Sequence, residues 1–275
     1  GGNISDVTRG EGKAGAPFSN PCPKEFIDEK GSVHDVKTRE YRAVYVQMDM
    51  TVNKSGWHDP QGRFPVLEQD VRDTLDGNRP TEPLFFRAQS GECIVFHATN
   101  LISSNLNLDD FQVYTPTDTI GQHIHLVKFD VTSSDGSGNG WNYEDGTLAA
   151  DEVRERIAAY NATSPVVKLR PRTHRLFLKK GEQGATEDGA LAGDPRGLCS
   201  DITNNENDDH DLIGHPWCGA QTTTQRWWAD PVLNGKPGDK HVKDRTMRTV
   251  FTHDHFGPSS HQHHGRRSHA HRCSR

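Results

Sequence analysis

Apolar and polar residues fall into a period of two from about Glu40 onward. The run Tyr41-Arg-Ala-Val-Tyr-Val-Gln-Met-Asp-Met50 alternates and is rich in β-branched and aromatic residues, which predicts a strand. A loop carrying Trp57 and Pro60 is expected next. Leu84-Phe-Phe-Arg87, a Gln89–Glu92 turn and Cys93-Ile-Val-Phe-His-Ala-Thr-Asn100 then predict a strand pair. Gly121-Gln-His-Ile-His-Leu-Val-Lys-Phe-Asp130 and Arg248-Thr-Val-Phe-Thr-His-Asp-His-Phe256 predict two further strands. The Gly- and Ser-rich stretch 132–146 reads as loop. One helix is expected near Ala149–Asn161. Val153, Ile157 and Tyr160 recur at helical spacing there, and Asp151 and Glu152 suit the positive N-terminal end. Strands at this spacing, separated by turn chemistry, predict an all-β sandwich or barrel.

The flanks lack such a period. Residues 1–35 read as an irregular lead-in, 36–258 as the domain, and 132–240 as an insertion within it. Residues 259–275, polar and rich in His and Arg, read as a disordered tail. The chain opens with Gly1-Gly2 rather than Met and shows no signal peptide, so a fragment or a processed chain is expected.

Composition narrows the functions. Only 32% of residues are hydrophobic, and 26 Gly and 15 Pro favour a loop-rich β architecture over a helix bundle. The net charge of −6 without a basic stripe argues against nucleic-acid binding. No apolar run is long enough to span a membrane. The five cysteines (22, 93, 199, 218 and 273) form no CxxC zinc pattern, and an odd count leaves at least one without an internal partner. Cys199 and Cys218 flank an acidic, Asn-rich loop and are expected either to close it as a disulfide or to remain thiols.

The sixteen histidines are the compositional outlier. Four of them form two His-x-His pairs, His123/His125 and His253/His255, each in a strand-like run. On a strand, side chains at i and i+2 share a face about 6.5–7 Å apart. That spacing is wide for one small metal ion and suits two imidazoles serving neighbouring ions, so all four are candidate metal ligands. Neutral imidazole suits copper, zinc, iron and nickel alike. Asp254 points to the opposite strand face and is not expected to ligate. His97 is expected to be packed or hydrogen-bonded, and His210 and His215 to be surface residues. The tail histidines (261, 263, 264, 269 and 271) offer no fixed geometry. Trp227-Trp228 is expected to anchor core or loop, and the Asp208/Asp209/Asp211 run to be solvated surface rather than a cation site. The sequons at Asn3, Asn53 and Asn161 are short enough to arise by chance.

Together, Leu84–Asn100, Gly121–Asp130, the Gly-Asn-Gly-Trp-Asn-Tyr-Glu-Asp-Gly segment and Thr249-Val-Phe-Thr-His-Asp-His-Phe-Gly-Pro258 resemble bacterial multicopper oxidases, with the strongest likeness to the large members described as manganese oxidases. The resemblance spans residues 40–258. It implies a cupredoxin-like Greek-key β-sandwich with a long loop/helix insertion, and an extracytoplasmic location. It also implies copper in half of a trinuclear type 2/type 3 cluster, which reduces O₂ to water while a reducing metal ion such as Mn²⁺, or a small molecule, is oxidised. By motif, His123 resembles the type 2 ligand, and His125, His253 and His255 resemble type 3 ligands. A second cupredoxin domain, in the same or another chain, is the implied partner.

The pattern departs from the family in three places. No His-Cys-His segment occurs, so the type 1 copper that collects electrons is not encoded here, and the isolated chain is expected to be inactive. The stretch between the two His-x-His pairs is longer than in laccase-like domains. After Pro258 the apolar strand of the family gives way to the polar tail, as a truncation or shifted reading frame would produce. Two alternatives remain open: a non-catalytic cupredoxin-like copper module, and a cupin-type mononuclear metal oxygenase. A cupin needs an acidic ligand soon after the first pair, and Asp130 is a poor fit for that role.

Overall fold

The computed structural model describes residues 20–51, 53–102, 118–138, 145–186, 189–199, 216–246, 249–256 and 270–271. The described chain is mostly β-sheet with few helices. After a short hairpin of β1 (Glu25–Ile27) and β2 (Val33–Asp35), the long strand β3 (Thr38–Thr51) turns back into β4 (His58–Leu67). A single helical turn, α1 (Val71–Leu75), leads to β5 (Cys93–Asn100), which pairs parallel to β3. Then come β6 (Gln122–Ile124), β7 (Lys128–Phe129), α2 (Val131–Ser134) and α3 (Ala150–Ala162). The last strands are β8 (Thr222–Trp228), β9 (Phe251–Asp254) and β10 (Ala270–His271). The main sheet has the order β4-β3-β5-β8-β7, and a smaller sheet the order β10-β9-β6.

Strand alternation builds a core on each face of β3. Ala43 and Tyr45 enter one cluster, Val44 and Val46 the other, and all four are almost fully buried. The first cluster takes Ile94, Phe96 and Ala98 from β5 and Trp227 from β8. It takes Ile124 from β6 and Val250 from just before β9, so one core joins the two sheets. The second cluster collects Phe64 and Val66 of β4, Leu176, Phe177 and Trp217.

The strands expected at 41–50 and 93–100 and the helix near 149–161 are present. In α3, Glu152 accepts from the Ala149 backbone N–H at 3.1 Å and from Thr119 Oγ1 at 2.6 Å, as an acidic first turn should. Tyr160 is exposed and only Ala150 is buried, so α3 lies on the surface.

Other expectations are corrected. The loop around Trp57 and Pro60 continues into strand β4. Met48 pairs with Gly62 and Met50 with Asp59, so Pro60 falls in a bulge of an edge strand, where its missing N–H breaks no ladder. Leu84–Arg87 is not a strand, and at Arg87 a side chain takes the place of a neighbouring strand. The Tyr41 hydroxyl donates to the Arg87 carbonyl (2.7 Å) and accepts from the Arg87 N–H (2.8 Å). Glu25–Asp35, within the expected lead-in, forms the β1–β2 hairpin, and Thr222–Trp228, within the expected insertion, is an inner strand of the main sheet. The strand expected at 121–130 splits at Leu126, whose φ of 62° interrupts extended backbone, and its halves join different sheets. Residues 132–134, the start of the expected loop, fall in the one helical turn of α2, which is capped by Asp130.

Two disulfides close the described chain: Cys199–Cys218, and Cys22–Cys93, which ties the segment before β1 to β5. Cys273 and most of the tail lie outside the described residues, while Ala270–His271 pair with Phe251–Thr252.

His174 links the second core to solution pH. Its Nδ1 accepts from the Leu176 N–H, capping the turn that buries Leu176 and Phe177, so Nε2 carries the proton and donates to Thr222 Oγ1 at 2.8 Å. Burial, helped by the Arg175 charge, pushes its pKa down to about 4. The unfolded chain therefore binds this proton first as pH falls. His174 stabilises the fold at neutral pH, and that contribution is lost progressively below about pH 6.5, by on the order of 1 kcal/mol at about pH 5 after allowing for solvent screening. Urea midpoints measured down that range should fall more steeply for the native chain than for His174→Gln; parallel slopes would contradict the assignment.

Candidate metal centre

Strands β6 and β9 bring the two His-x-His pairs together. They run antiparallel with Gln122 opposite Asp254, His123 opposite His253 and Ile124 opposite Thr252. Ile124 faces the shared core, and Gln122, Thr252 and Asp254 are buried polar residues. The alternate positions, His123 and His253, therefore emerge on the opposite face.

The four imidazoles form one cluster. Ring centroids lie 4.8 Å apart for His123–His125, 5.4 Å for His123–His253, 4.5 Å for His123–His255, 5.2 Å for His125–His253 and 5.3 Å for His253–His255. The wide spacing expected from strand geometry is not kept. β6 ends at Ile124 and β9 at Asp254, so His125 and His255 lie just past the regular ladder and their rings turn inward.

Sequence reasoning missed Asp135. It sits at the C-terminal end of α2, and the acidic group considered instead, Asp130, is the cap of that helix. The turn after α2 packs directly on β6: a Cβ on Gly121 would lie 1.8 Å from the Gly136 carbonyl oxygen, and Gly136 has φ 88°. This contact carries Asp135 to the rings, with Oδ1 3.4 Å from His123 Nδ1 and Oδ2 3.3 Å from His255 Nδ1. Local sequence marks only the turn, a capping Asp followed by Asp-Gly, and not its approach to the rings.

Hydrogen bonding sets the tautomers. His123 Nδ1 donates to the Asp135 carbonyl at 2.7 Å and His253 Nδ1 to the Asp254 carbonyl at 2.7 Å. Both Nε2 atoms then present lone pairs, as metal-binding histidines do. His253 Nε2 faces His125 Nε2 at 3.0 Å, and His255 Nδ1 is buried with no aligned hydrogen-bond partner. Burial, together with the neighbouring His255, lowers the pKa of His125; burial also lowers that of His123, where neighbouring imidazoles add to it and Asp135 opposes it. The lowered pKa values favour neutral rings at physiological pH, the form that binds metals.

Two overlapping donor sets result, His123–His125–His253 and His123–Asp135–His255, each with its donor atoms within 4.8 Å of one another. The first is all nitrogen and suits copper or zinc. The second adds a carboxylate and suits iron, manganese or zinc. His125 stacks on Phe251 at 3.9 Å, and His123 meets the edge of Phe129 at 5.4 Å, so apolar rings flank the donors.

The remaining candidates lie elsewhere. Asp254 accepts from the Gly121 N–H at 2.8 Å and belongs to neither donor set. His97 is hydrogen-bonded to Thr224 Oγ1 (2.8 Å) and paired with Glu40 (3.0 Å). Trp227 is core, fully buried. His210, His215, Asp208, Asp209, Asp211 and the tail histidines 261, 263, 264 and 269 lie outside the described residues. No family model matches the chain, and no curated protein matches it.

Asp135→Asn should weaken metal binding roughly 10–100-fold, because the charged carboxylate beside His123 and His255 is lost. Competition titration with a chelator measures this; unchanged affinity would remove Asp135 from the centre.

Proposed function

We propose that this chain is the copper-binding domain of a multicopper oxidase, supplying half of a trinuclear type 2/type 3 cluster. The observation that carries the reading is the convergence of two His-x-His pairs on adjacent antiparallel strands, with four imidazoles in mutual contact. The donor chemistry fits copper: neutral imidazoles, ring nitrogens turned towards one another, and a buried His255 nitrogen without a hydrogen-bond partner. Copper bound there would supply one-electron steps for the reduction of O₂ to water.

The residues of the chain have definite tasks in this reading. His123, His125, His253 and His255 hold the metal. The Asp135 and Asp254 carbonyls orient His123 and His253, and the Asp135 carboxylate lies 3.3 Å from His255 Nδ1. Phe251 stacks on His125, and Phe129 meets the edge of His123. Electrons enter from a reducing metal ion, Mn²⁺ among the candidates, or from a small molecule, and a second cupredoxin domain completes the cluster. A cupredoxin-like Greek-key sandwich is compatible with a parallel β3–β5 pair in an otherwise antiparallel sheet that shares its core with a second sheet. Two disulfides are compatible with an extracytoplasmic site. No helix among the described residues is long and apolar enough to cross a membrane.

One observation favours a second reading. His123, Asp135 and His255 together make a two-histidine, one-carboxylate donor set, the type used by mononuclear non-haem iron oxygenases.

Metal analysis with electron paramagnetic resonance separates the two. The copper reading predicts that the chain takes up copper at the four histidines, shows negligible turnover with phenols or Mn²⁺ alone, and gains a coupled type 3 signature with its partner domain. One iron or manganese per chain would favour the mononuclear oxygenase, and robust oxidase activity from the chain alone would contradict the need for a partner.

A further inference from the structure

A file of aromatic rings in the shared core, linked to the histidine cluster through the β7–β8 pairing, runs to the surface. His123 meets Phe129 edge-on at 5.4 Å, and Phe129 is the cross-strand partner of Trp227 between β7 and β8. Trp227 stacks on Phe96 at 5.1 Å and meets Phe86 at 5.9 Å, and Phe86 meets Tyr41 at 5.1 Å. A second connection joins the same ends through hydrogen bonds. Trp227 Nε1 donates to the Ser134 carbonyl at 3.2 Å, and the adjacent Asp135 carbonyl accepts from His123 Nδ1. Trp227 is fully buried, while Tyr41 is half-buried with its hydroxyl at the exposed Arg87 backbone.

Of these residues only Trp227 and Tyr41 are readily oxidised by one electron. They stand at the two ends of the core file, one beside the metal centre and one at the protein boundary. We propose that Trp227 and Tyr41 form a relay that carries oxidising equivalents from the histidine cluster to the surface, where a small one-electron reductant quenches them. The relay rests on the redox reading of the centre given above.

The electrons balance step by step. Copper held by His123, His125, His253 and His255 would supply the oxidant; the Trp227 indole gives up one electron, leaving a radical cation whose Nε1 proton stays hydrogen-bonded to the Ser134 carbonyl. Trp227 is restored by one electron from Tyr41, whose hydroxyl proton passes to solvent and leaves a neutral tyrosyl radical. The external reductant returns one electron, and a proton re-enters from water. Two such electrons, with two protons, are what one hydrogen peroxide needs to become two waters. This drains an oxidant that would otherwise attack the ligand histidines when the supply of electrons fails.

The test uses the full chain and an oxidant that needs no copper. A ruthenium polypyridyl complex is coordinated at His255, whose side chain is 43% exposed although its Nδ1 is buried, and the singly labelled protein is separated from other labelled forms. Flash-quench oxidation followed by transient absorption should show a tryptophan radical that gives way to a tyrosyl radical. In Tyr41→Phe the tryptophan radical should persist. In Trp227→Phe the tyrosyl signal should be lost, with near-ultraviolet circular dichroism checking that both variants stay folded. An unchanged tyrosyl yield in Trp227→Phe, or no aromatic radical in the native chain, would overturn the relay. A chain that binds no copper yet passes this test would keep the relay and lose the proposed oxidase function.

Discussion

The register between β6 and β9 is the constraint on which the centre depends. Strand side chains alternate, so a slip of one residue would send His123 or His253 into the core and bring Ile124 or Thr252 out. Several polar contacts pin the register besides the ladder itself. The Asp254 carboxylate accepts from the Gly121 N–H, the His255 N–H donates to the Gly121 carbonyl at 2.7 Å, and the His125 N–H donates to the Phe251 carbonyl at 3.1 Å. These last two bonds hold His125 and His255 in place after the strands have ended.

Gln122 ties the small sheet to the large one. Its side chain accepts from the Tyr45 hydroxyl of β3 and donates to Thr252 of β9, while its carbonyl accepts from Gln225 of β8 at 2.7 Å. Thr252 in turn donates to the His123 carbonyl. Burial, reinforced by the Asp254 charge, raises the pKa of Tyr45 well above that of an exposed tyrosine, so the phenol keeps the proton that it donates. A satisfied polar network inside an apolar core specifies one arrangement, because any shifted pairing leaves buried groups unpaired. The fold therefore positions the four candidate ligand histidines from behind, through residues that belong to neither donor set.

Much of this was legible in the chain, for identifiable reasons. Alternation over Tyr41–Met50 and Cys93–Asn100 marks strands buried enough for their pattern to survive, and the two His-x-His pairs mark the centre. What escaped depends on tertiary context. Pro60 hides β4, because a bulge on an edge strand tolerates a residue that a central strand would not. Thr222–Trp228 reads as part of a loop-rich insertion until β5 and β7 are seen to flank it. Asp135 reaches the rings through the close contact of Gly121 and Gly136, a long-range packing fact invisible to local spacing. The inward turn of His125 and His255 also lies beyond strand arithmetic, since it begins where the strands stop.

Anomalous diffraction from crystals of the copper-loaded chain, collected at the copper edge, tests the central claim most directly. The account predicts anomalous density enclosed by His123, His125, His253 and His255, lost in a His123→Ala/His253→Ala double variant. Copper confined to the His-rich tail, with the four rings unchanged and empty of metal, would contradict it.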